Sequence, residues 1–374
     1  MRPAGARNPP RRRPRRPAIA RARLSIGLDA VVRNWRALDA LSAPGVETAA
    51  VVKADAYGLG AAAVGPALAA AGVRSFFVAL AEEGAALRAS LGPGPAIHVF
   101  AGLMPGDAAL VAAADLIPCL NSPGQVADFL RSLPGRPCAL QLDTGMNRLG
   151  LEPAELEAIA PDLTRLAPTL AISHLACSDE PEHPLNAAQA AAMTAFAARL
   201  PGVRLSLAAT GGILLGPAFH FGLVRPGVGL FGGRPFAAGE PVVHLSLPVV
   251  QVREVARGEA VGYGATWIAP EPARIATVSA GYADGLLRAL GDGGFGLFAG
   301  DVRCPVVGRV SMDLVTVDVT GLADVPPALD ILGPHQGVDD LARAAGTIGY
   351  EILTSLGPRY ERVYKSGSQR PDTA

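Results

Sequence analysis

A short apolar run followed by an Ala- and Leu-rich stretch recurs eight times between residues 49 and 225. Successive runs begin 19 to 34 residues apart, which is the length of one strand with the helix that follows it. The runs are continuously apolar, as parallel strands covered on both faces are. Eight such units predict an α/β fold, a (β/α)8 TIM-type barrel. The predicted strands are 49–53, 75–80, 96–100, 116–120, 138–143, 170–174, 204–208 and 223–225.

An open doubly wound sheet is the alternative to the barrel. Such a sheet often carries a G-x-G-x-x-G turn after its first strand, and residues 53–60 do not match that pattern. After about residue 238 the helical spacing stops, and apolar runs separated by Gly, Pro and Asp predict strands. These are 244–255, 273–278, 302–307 and 314–319, with a Gly-rich hairpin or loop at 291–300. The sequence therefore predicts a barrel at 23–237 and a smaller, mainly β C-terminal domain at 238–374.

Charge is unevenly distributed, although the chain has 33 basic and 33 acidic residues. Residues 1–23 hold nine Arg and no acid, which leaves 24 basic against 33 acidic residues in the rest, a net charge of −9. An acidic body disfavours nucleic acid as the main partner. The Pro- and Arg-rich tail, 1–22, is predicted to be disordered, and without an apolar core it is not a secretory signal.

The stretch 205–224 contains no charged residue and is long enough to suggest a membrane span. Four glycines, Pro217 and His220 interrupt it, so we expect two short strands there and no membrane partner. The four cysteines lie in apolar runs: Cys119, Cys138, Cys177 and Cys304. Because they form no C-x-x-C pair, we expect reduced thiols rather than disulfides or a metal site.

Lysine is rare, since only Lys53 and Lys365 stand among the 33 basic residues. Lys53 ends the first predicted strand, on the rim where barrel enzymes carry their chemistry. A rim lysine that extends to solvent is the plainer interpretation. However, arginine cannot deprotonate, whereas a desolvated lysine can, and only a neutral amine forms an imine with an aldehyde. Lys53 therefore indicates Schiff-base chemistry, either of the aldolase type or with pyridoxal phosphate.

Pyridoxal phosphate requires a phosphate cradle and a partner for its ring nitrogen. The glycines and hydroxyls suited to such a cradle follow the predicted strands: Tyr57, Thr210, Gly211, Gly212 and Gly227. Arg225 ends the eighth strand and is either the partner of the ring nitrogen or a rim arginine in a salt bridge.

Six segments, in order along the chain, resemble motifs of the alanine racemase family. They are 50–60 (AVVKADAYGLG), 143–150 (DTGMNRLG), 224–229 (VRPGVG), 262–266 (GYGAT), 281–285 (GYADG) and 308–313 (GRVSMD). The likeness extends over about residues 23–365, and the basic tail has no counterpart. The resemblance implies a cytoplasmic, pyridoxal-phosphate-dependent isomerase that interconverts L-alanine and D-alanine and supplies D-alanine for peptidoglycan.

The resemblance also implies the roles of individual residues. Lys53 would hold the cofactor covalently and act as one base, and Tyr263 from the other subunit of a homodimer would act as the second. Arg225 would face the ring nitrogen, keeping it unprotonated and limiting side reactions, with His174 as its support. The residues implied to bind substrate are Arg148 for the carboxylate, Met312 and Asp313 from the partner, and Tyr282 at a narrow entrance.

Three positions depart from the family pattern. Gln141 stands where many members have a carbamylated lysine, so the group that orients Arg148 must be neutral or an external anion. The usual Asn-Ser pair of the phosphate loop is 209–210, Ala-Thr, which keeps the hydroxyl and loses the amide. A C-terminal phosphate-binding tyrosine is aligned with Pro358, with Tyr360 two residues on.

Three rival functions share the barrel. A pyridoxal-phosphate carrier has no second domain, which disfavours it here. A decarboxylase of the related two-domain fold has an acidic residue at the ring nitrogen, where this chain has Arg225. An amino-acid racemase of broader substrate range is not separated from an alanine racemase by the sequence.

Overall fold

The computed structural model describes residues 21–292 and 294–367, so residues 1–20 of the predicted tail lie outside the described residues. The strands, in chain order, are β1 (Arg23–Gly27), β2 (Glu47–Thr48), β3 (Ala50–Val51), β4 (Ser75–Val78), β5 (Ala96–Val99), β6 (Ile117–Leu120), β7 (Ala139–Gln141), β8 (Leu170–Ile172), β9 (Arg204–Ser206), β10 (Leu223–Val224), β11 (Val243–Val255), β12 (Ala260–Val261), β13 (Trp267–Ile268), β14 (Ala273–Ser279), β15 (Gly296–Ala299), β16 (Val302–Pro305), β17 (Leu314–Asp318), β18 (Ala328–Leu332) and β19 (Glu361–Lys365).

The helices lie mainly between the strands of the first half of the chain. They are α1 (Leu28–Leu41), α2 (Lys53–Tyr57), α3 (Ala61–Ala71), α4 (Ala81–Leu91), α5 (Ala108–Ala113), α6 (Pro123–Ser132), α7 (Pro153–Ala158), α8 (Leu163–Leu166), α9 (Pro184–Ala197), α10 (Thr210–Leu214), α11 (Val338–Ala345) and α12 (Gly349–Ser355). Short 3-10 helices are found at Ala160–Asp162, Pro217–Phe219, Val228–Phe231, Tyr263–Ala265, Tyr282–Asp284 and Arg288–Asp292.

Eight parallel strand positions close into a barrel. Strands β3 to β9 pair in chain order, each parallel to the next. Strands β2 and β3 form one strand interrupted at Ala49, whose amide donates to the carbonyl of Val224 at 2.9 Å. On the opposite edge of β10, the Arg225 amide donates to the carbonyl of Ala208 at 2.9 Å. This closure confirms the predicted (β/α)8 barrel and excludes the open sheet.

A second sheet is built from the C-terminal half of the chain. Its order is β16-β15-β18-β11-β1-β19, with β14 added to β11 and β17 to β14. The predicted strands correspond to β11, β14, β16 and β17, and the Gly-rich segment 291–300 forms part of the antiparallel hairpin β15–β16. The fold class, a barrel with a smaller, mainly β domain, is therefore as predicted. The sequence did not predict β18, β19 or the helices α11 and α12.

The first strand differs from the predicted domain division. Strand β1 pairs antiparallel with β11 and parallel with β19, so it belongs to the second sheet although the barrel follows it in the chain. Leu24, Ser25 and Ile26 are consecutive buried residues, as expected of a strand enclosed between two others. A run of this kind suits either sheet, which is why its sequence does not reveal the assignment.

One large apolar core extends through the barrel and the second sheet. Trp35 of α1 is buried and donates its indole N–H to the carbonyl of Thr48 at 3.2 Å, which fixes that helix to the barrel. The four cysteines are unpaired, and three of them are buried. Within the described residues no helix has the length and apolar content to cross a membrane. The uncharged stretch 205–224 contains most of β9, then α10, a 3-10 turn and β10.

Candidate active site

The predicted site residues of the barrel lie at one rim. Lys53, Asp143, His174 and Arg225 follow β3, β7, β8 and β10, and Thr210 follows β9. Because all these strands are parallel, their carboxyl ends face the same side of the barrel. The structure thus brings together residues that are up to 172 positions apart in the sequence.

The backbone directly after Lys53 turns with the left-handed sense. Ala54, Asp55, Ala56 and Tyr57 have φ of 52°, 53°, 55° and 57°. Each non-glycine residue in this region costs about 1–2 kcal/mol. Local hydrogen bonds offset the cost: the Gly58 amide donates to the Ala54 carbonyl at 2.7 Å, and the Asp55 carboxylate accepts the amide of Ala61 at 2.7 Å.

The amine of Lys53 faces the rim and lies 5.9 Å from the ring centre of Phe100. Partial desolvation lowers its pKa, and the positive charge of Arg148 lowers it further. The carboxylate of Glu83 acts in the opposite direction and raises it. A lysine with a lowered pKa has more neutral amine at a given pH, as imine formation requires.

Arg225 is buried inside the rim. Its guanidinium donates to the Ser206 hydroxyl and to the carbonyl of Ser173, and its Cζ lies 5.8 Å from the ring centre of Phe77. Burial lowers the pKa of Arg225 to about 10, so it remains a cation at neutral pH. The alternative of a salt-bridged rim arginine is wrong, because no carboxylate of the described residues pairs with it.

His174 lies close enough to Arg225 for its protonation to be affected by that charge. Burial lowers the pKa of His174 to about 3, with further contributions from Arg225, Arg148 and Lys53, so the imidazole is neutral. Among the described residues its ring forms no hydrogen bond to Arg225, which is held by Ser206 and Ser173 instead. Support of Arg225 by His174 stays a prediction.

Thr210 and the glycines beside it form a small cradle. The Thr210 hydroxyl accepts the amides of Gly227 at 3.1 Å and Gly229 at 3.3 Å, which leaves its own proton for a further acceptor. A Cβ on Gly227 would overlap the Tyr57 hydroxyl, and one on Gly211 would overlap the Ser178 hydroxyl. Only glycine at these two positions lets the hydroxyls come so close to the backbone, and hydroxyl donors beside glycine backbone suit a phosphate group.

The C-terminal tyrosine near the cradle is Tyr350 of α12, whose ring centre lies 6.0 Å from that of Tyr57. The structure places Tyr350, and not Tyr360, beside Tyr57. Tyr360 is buried, and its hydroxyl has no partner among the described residues. Burial raises the pKa of Tyr350 to about 12 and also raises the pKa of Tyr57, so both hydroxyls remain protonated donors.

Asp143 shapes the loop that carries Arg148. Its Oδ1 accepts the amides of Gly145, Met146 and Asn147 at 2.8, 2.9 and 3.2 Å. Gln141 is buried and donates to the carbonyl of Leu142 at 3.4 Å; within the described chain it forms no hydrogen bond with Arg148. Arg148 is therefore positioned by its loop rather than by Gln141.

Gln189 of α9 links two rim loops and was missed by sequence reasoning. Its Nε2 donates to the Thr144 hydroxyl at 3.1 Å and to the His174 carbonyl at 2.8 Å, and its Oε1 accepts the Ala176 amide at 2.8 Å. Thr144 also shares a 2.8 Å hydrogen bond with Ser173. All three hydrogen bonds of Gln189 are long-range in sequence, and its position in an Ala-rich helix gave no signal of this role.

The predicted site residues of the second domain lie on an exposed surface. The side chains of Tyr263, Met312 and Tyr282 are 72%, 53% and 43% exposed. The Tyr282 amide donates to the Ser311 carbonyl at 3.0 Å, so the segments carrying Tyr282 and Met312 are adjacent. Asp313 pairs with Arg359 at 2.7 Å. Large apolar side chains this exposed are typical of surfaces that bind another molecule.

Two family models match the chain. Residues 26–235 match the alanine racemase N-terminal domain, and residues 242–364 match the alanine racemase C-terminal domain. A curated alanine racemase from a strain of Cereibacter sphaeroides is 61% identical over 346 residues, which cover 92% of this chain and 99% of that protein. The curated alanine racemase of Rhodospirillum rubrum is 49% identical over 360 residues, covering 92% and 96% of the two chains.

Solved structures agree with the sequence matches. The crystal structure of alanine racemase from Bartonella henselae, with covalently bound pyridoxal phosphate, is 38% identical and has a TM-score of 0.86. It covers 92% of this chain and is itself covered completely. The biosynthetic alanine racemase from Pseudomonas aeruginosa is 36% identical with a TM-score of 0.86, covering 92% and 99% of the two chains.

Proposed function

Since this chain belongs to the alanine racemase family, we propose that it interconverts L-alanine and D-alanine with pyridoxal phosphate as its cofactor. The observation that carries the proposal is the position of Lys53: an amine of lowered pKa on the same barrel rim as the glycine and hydroxyl cradle. The family makes D-alanine available for peptidoglycan, and this chain would do the same. Its four unpaired cysteines support a reducing compartment such as the cytoplasm.

Residues of the barrel would hold the cofactor. Lys53 would bind it covalently, the Thr210 hydroxyl and the backbone around Gly227 would bind its phosphate with Tyr57, and Arg225 would face its ring nitrogen. When bound, pyridoxal phosphate withdraws electrons from the substrate's α-carbon and so stabilises the charge left by proton removal. A permanently charged, buried Arg225 would keep the nitrogen unprotonated, which limits that withdrawal and hence the side reactions.

Inversion at the α-carbon requires a base on each face. Lys53 would move the proton on one face, and Tyr263 of the partner subunit would move it on the other. The exposure of Tyr263, Tyr282 and Met312 supports a homodimer in which this surface covers the partner's rim. In such an assembly neither chain has a complete site alone.

Substrate would be held by its carboxylate. Arg148 would pair with it, and the loop geometry imposed by Asp143 would set the position of that arginine. Met312 and Asp313 of the partner subunit would border the same pocket, and Tyr282 would narrow its entrance so that a methyl side chain is preferred. Asp313 would act together with Arg359, to which it is already paired.

The test is exchange of the α-proton for solvent deuterium across a panel of L- and D-amino acids. We expect exchange and inversion of alanine above all others; exchange across many side chains would favour the broader racemase, and release of CO₂ the decarboxylase. Tyr263→Phe should keep the bound cofactor but lose exchange from one enantiomer. Lys53→Ala should lose the cofactor's absorption band, and the matched Lys365→Ala should not. Wild-type rates for both enantiomers in Tyr263→Phe would disprove the two-base assignment.

A further inference from the structure

One side chain, Glu83, connects the ends of two neighbouring barrel strands. Its Oε1 accepts the amide of Ala54, the residue after Lys53, at 2.8 Å. Its Oε2 accepts the amide of Ala79 at 2.7 Å, directly after β4. Strands β3 and β4 pair with one another, so the carboxylate lies across the gap between their two rim loops.

Helix capping does not account for this arrangement. As the third residue of α4, Glu83 also accepts the amide of Leu80, the residue before the helix. That contact is 3.4 Å long, whereas those to Ala54 and Ala79 are 2.8 and 2.7 Å. The shorter hydrogen bonds are therefore directed at the rim, and the one to Ala54 spans 29 residues of sequence.

The Ala54 amide is the first one of the left-handed turn. Ala54 has a φ of 52°, which alanine adopts only under constraint. A carboxylate that accepts this amide fixes the turn at the point where it leaves Lys53. Without Glu83, water would accept the hydrogen bond of this exposed amide, and no side chain of α4 would hold the turn in its left-handed form. The direction of the Lys53 side chain would then be less restricted.

Glu83 also balances charge around the Lys53 amine. The titratable groups whose charges are coupled to this amine are Arg148 from the loop after β7, His174 from the loop after β8, and Glu83 from α4. Arg148 is cationic and His174 is neutral, so Glu83 supplies the negative charge.

We propose that Glu83 is a positioning residue for Lys53, acting through the Ala54 amide on the direction of the lysine and through its charge on the protonation of the amine. The inference rests on the proposed function of Lys53. It adds a residue on the barrel side of the site that touches neither substrate nor cofactor in the proposed scheme.

The experiment compares Glu83→Gln with Glu82→Gln in the holoprotein. Glu82 is the exposed neighbour in the same helical turn, so each variant removes one negative charge from the same turn of α4. Glu83→Gln keeps the shape but provides only one accepting oxygen. We expect its kcat for alanine to fall about tenfold, with KM changed less than twofold, and its cofactor Kd to rise about tenfold, as loss of one hydrogen bond to a charged acceptor predicts. Glu82→Gln should match wild type.

The pH titration of the bound cofactor's absorption band separates positioning from simple helix capping. Loss of the Glu83 carboxylate removes stabilisation of the protonated nitrogen, so the titration should move to lower pH. A lower melting temperature with an unmoved titration and unchanged kcat would overturn the proposal, since that is the signature of a helix cap alone.

A second variant covers the case in which Glu83→Gln folds poorly. Glycine adopts a φ of 52° without steric cost, so Ala54→Gly added to Glu83→Gln should restore much of kcat while the titration stays displaced. No recovery of kcat would exclude positioning through the turn. If wild type binds no cofactor, the proposed function fails by itself. The role of Glu83 is then tested by the acylation rate of Lys53 in the full chain. The pH profile of this rate should move to lower pH in Glu83→Gln.

Discussion

Arg359 holds both oxygens of the Asp284 carboxylate, through Nε and Nη2 at 2.6 Å each. Its remaining nitrogen, Nη1, donates to Asp313 at 2.7 Å. Asp284 lies two residues after Tyr282, and Asp313 follows Met312. One guanidinium thus joins the two loops that carry the proposed entrance residues.

Breaking this junction should affect catalysis as well as stability. In Arg359→Met the buried carboxylate of Asp284 loses its partner, so we expect a lower urea midpoint and a several-fold lower kcat for alanine. Arg343→Met is the control, because Arg343 forms an exposed helical pair with Asp340. A lower urea midpoint with an unchanged kcat would show that Arg359 stabilises the fold but does not position the entrance loops for catalysis.

In the cofactor-free protein, Lys53 should react with a small acylating reagent at lower pH than an ordinary lysine. Desolvation and Arg148 lower its pKa from 10.5, and only the neutral amine reacts, so the rate profile is displaced to lower pH. In Arg148→Gln the profile should move back up, whereas Arg165→Gln, which removes an exposed charge paired with Asp162, should leave it unchanged. Peptide mapping by mass spectrometry distinguishes the only two lysines. A Lys53 profile centred at 10.5 would contradict the expectation.

The Thr210 hydroxyl should be required for tight cofactor binding. Thr210→Val keeps the shape but leaves the amides of Gly227 and Gly229 without their acceptor and removes a donor to phosphate. We expect the Kd for pyridoxal phosphate to rise about tenfold or more, measured by fluorescence titration. Thr194→Val, which loses only a hydrogen bond within α9, is the matched control. Equal affinity in both variants would remove Thr210 from the cradle.

Replacing Gln189 should lower both the stability of the fold and the affinity for substrate. Gln189→Leu leaves the Ala176 amide and the His174 carbonyl without their partner in a partly buried place, at a cost of about 1 kcal/mol per group. Because Thr144 lies in the loop that carries Arg148, we also expect KM for alanine to rise. Urea unfolding and steady-state kinetics measure the two effects, and an unchanged KM would show that the network is structural only.

His98 should make the fold sensitive to acid. Burial, with Arg204 and Arg225, lowers the pKa of His98 to about 3, so the folded state stays neutral while the unfolded state gains a proton below about 6.5. Stability is therefore lost as pH falls from 6.5 towards 3, by about 2 kcal/mol from this residue at pH 5. His98→Phe, which keeps the stacking on Phe77, should reduce the change in unfolding free energy between pH 7.5 and 5. An equal change in both proteins would contradict this.

The local sequence pattern was sufficient to predict the barrel strands and the site residues at their ends. Continuous apolar runs at regular spacing identified the barrel strands, and their ends identified Lys53, Thr210 and Arg225 because parallel strands place their ends on one rim. The roles of Glu83 and Gln189 depend on which loops the closed barrel brings side by side, and no local pattern records that. Tyr350 was missed for a similar reason, since α12 approaches Tyr57 only through the packing of the second domain.

Because β1 lies between β11 and β19, the second sheet cannot be completed until β19 has been synthesised. The ribosome releases β1 before the barrel strands and β19 after them, and the two strands pair from Arg23–Glu361 to Gly27–Lys365. The second sheet therefore stays open at this edge until β19 has been translated. A gene fragment starting at residue 238 would encode β19 without its neighbour. The second sheet is therefore not encoded by one continuous segment of the gene, although its other strands all follow the barrel in the sequence.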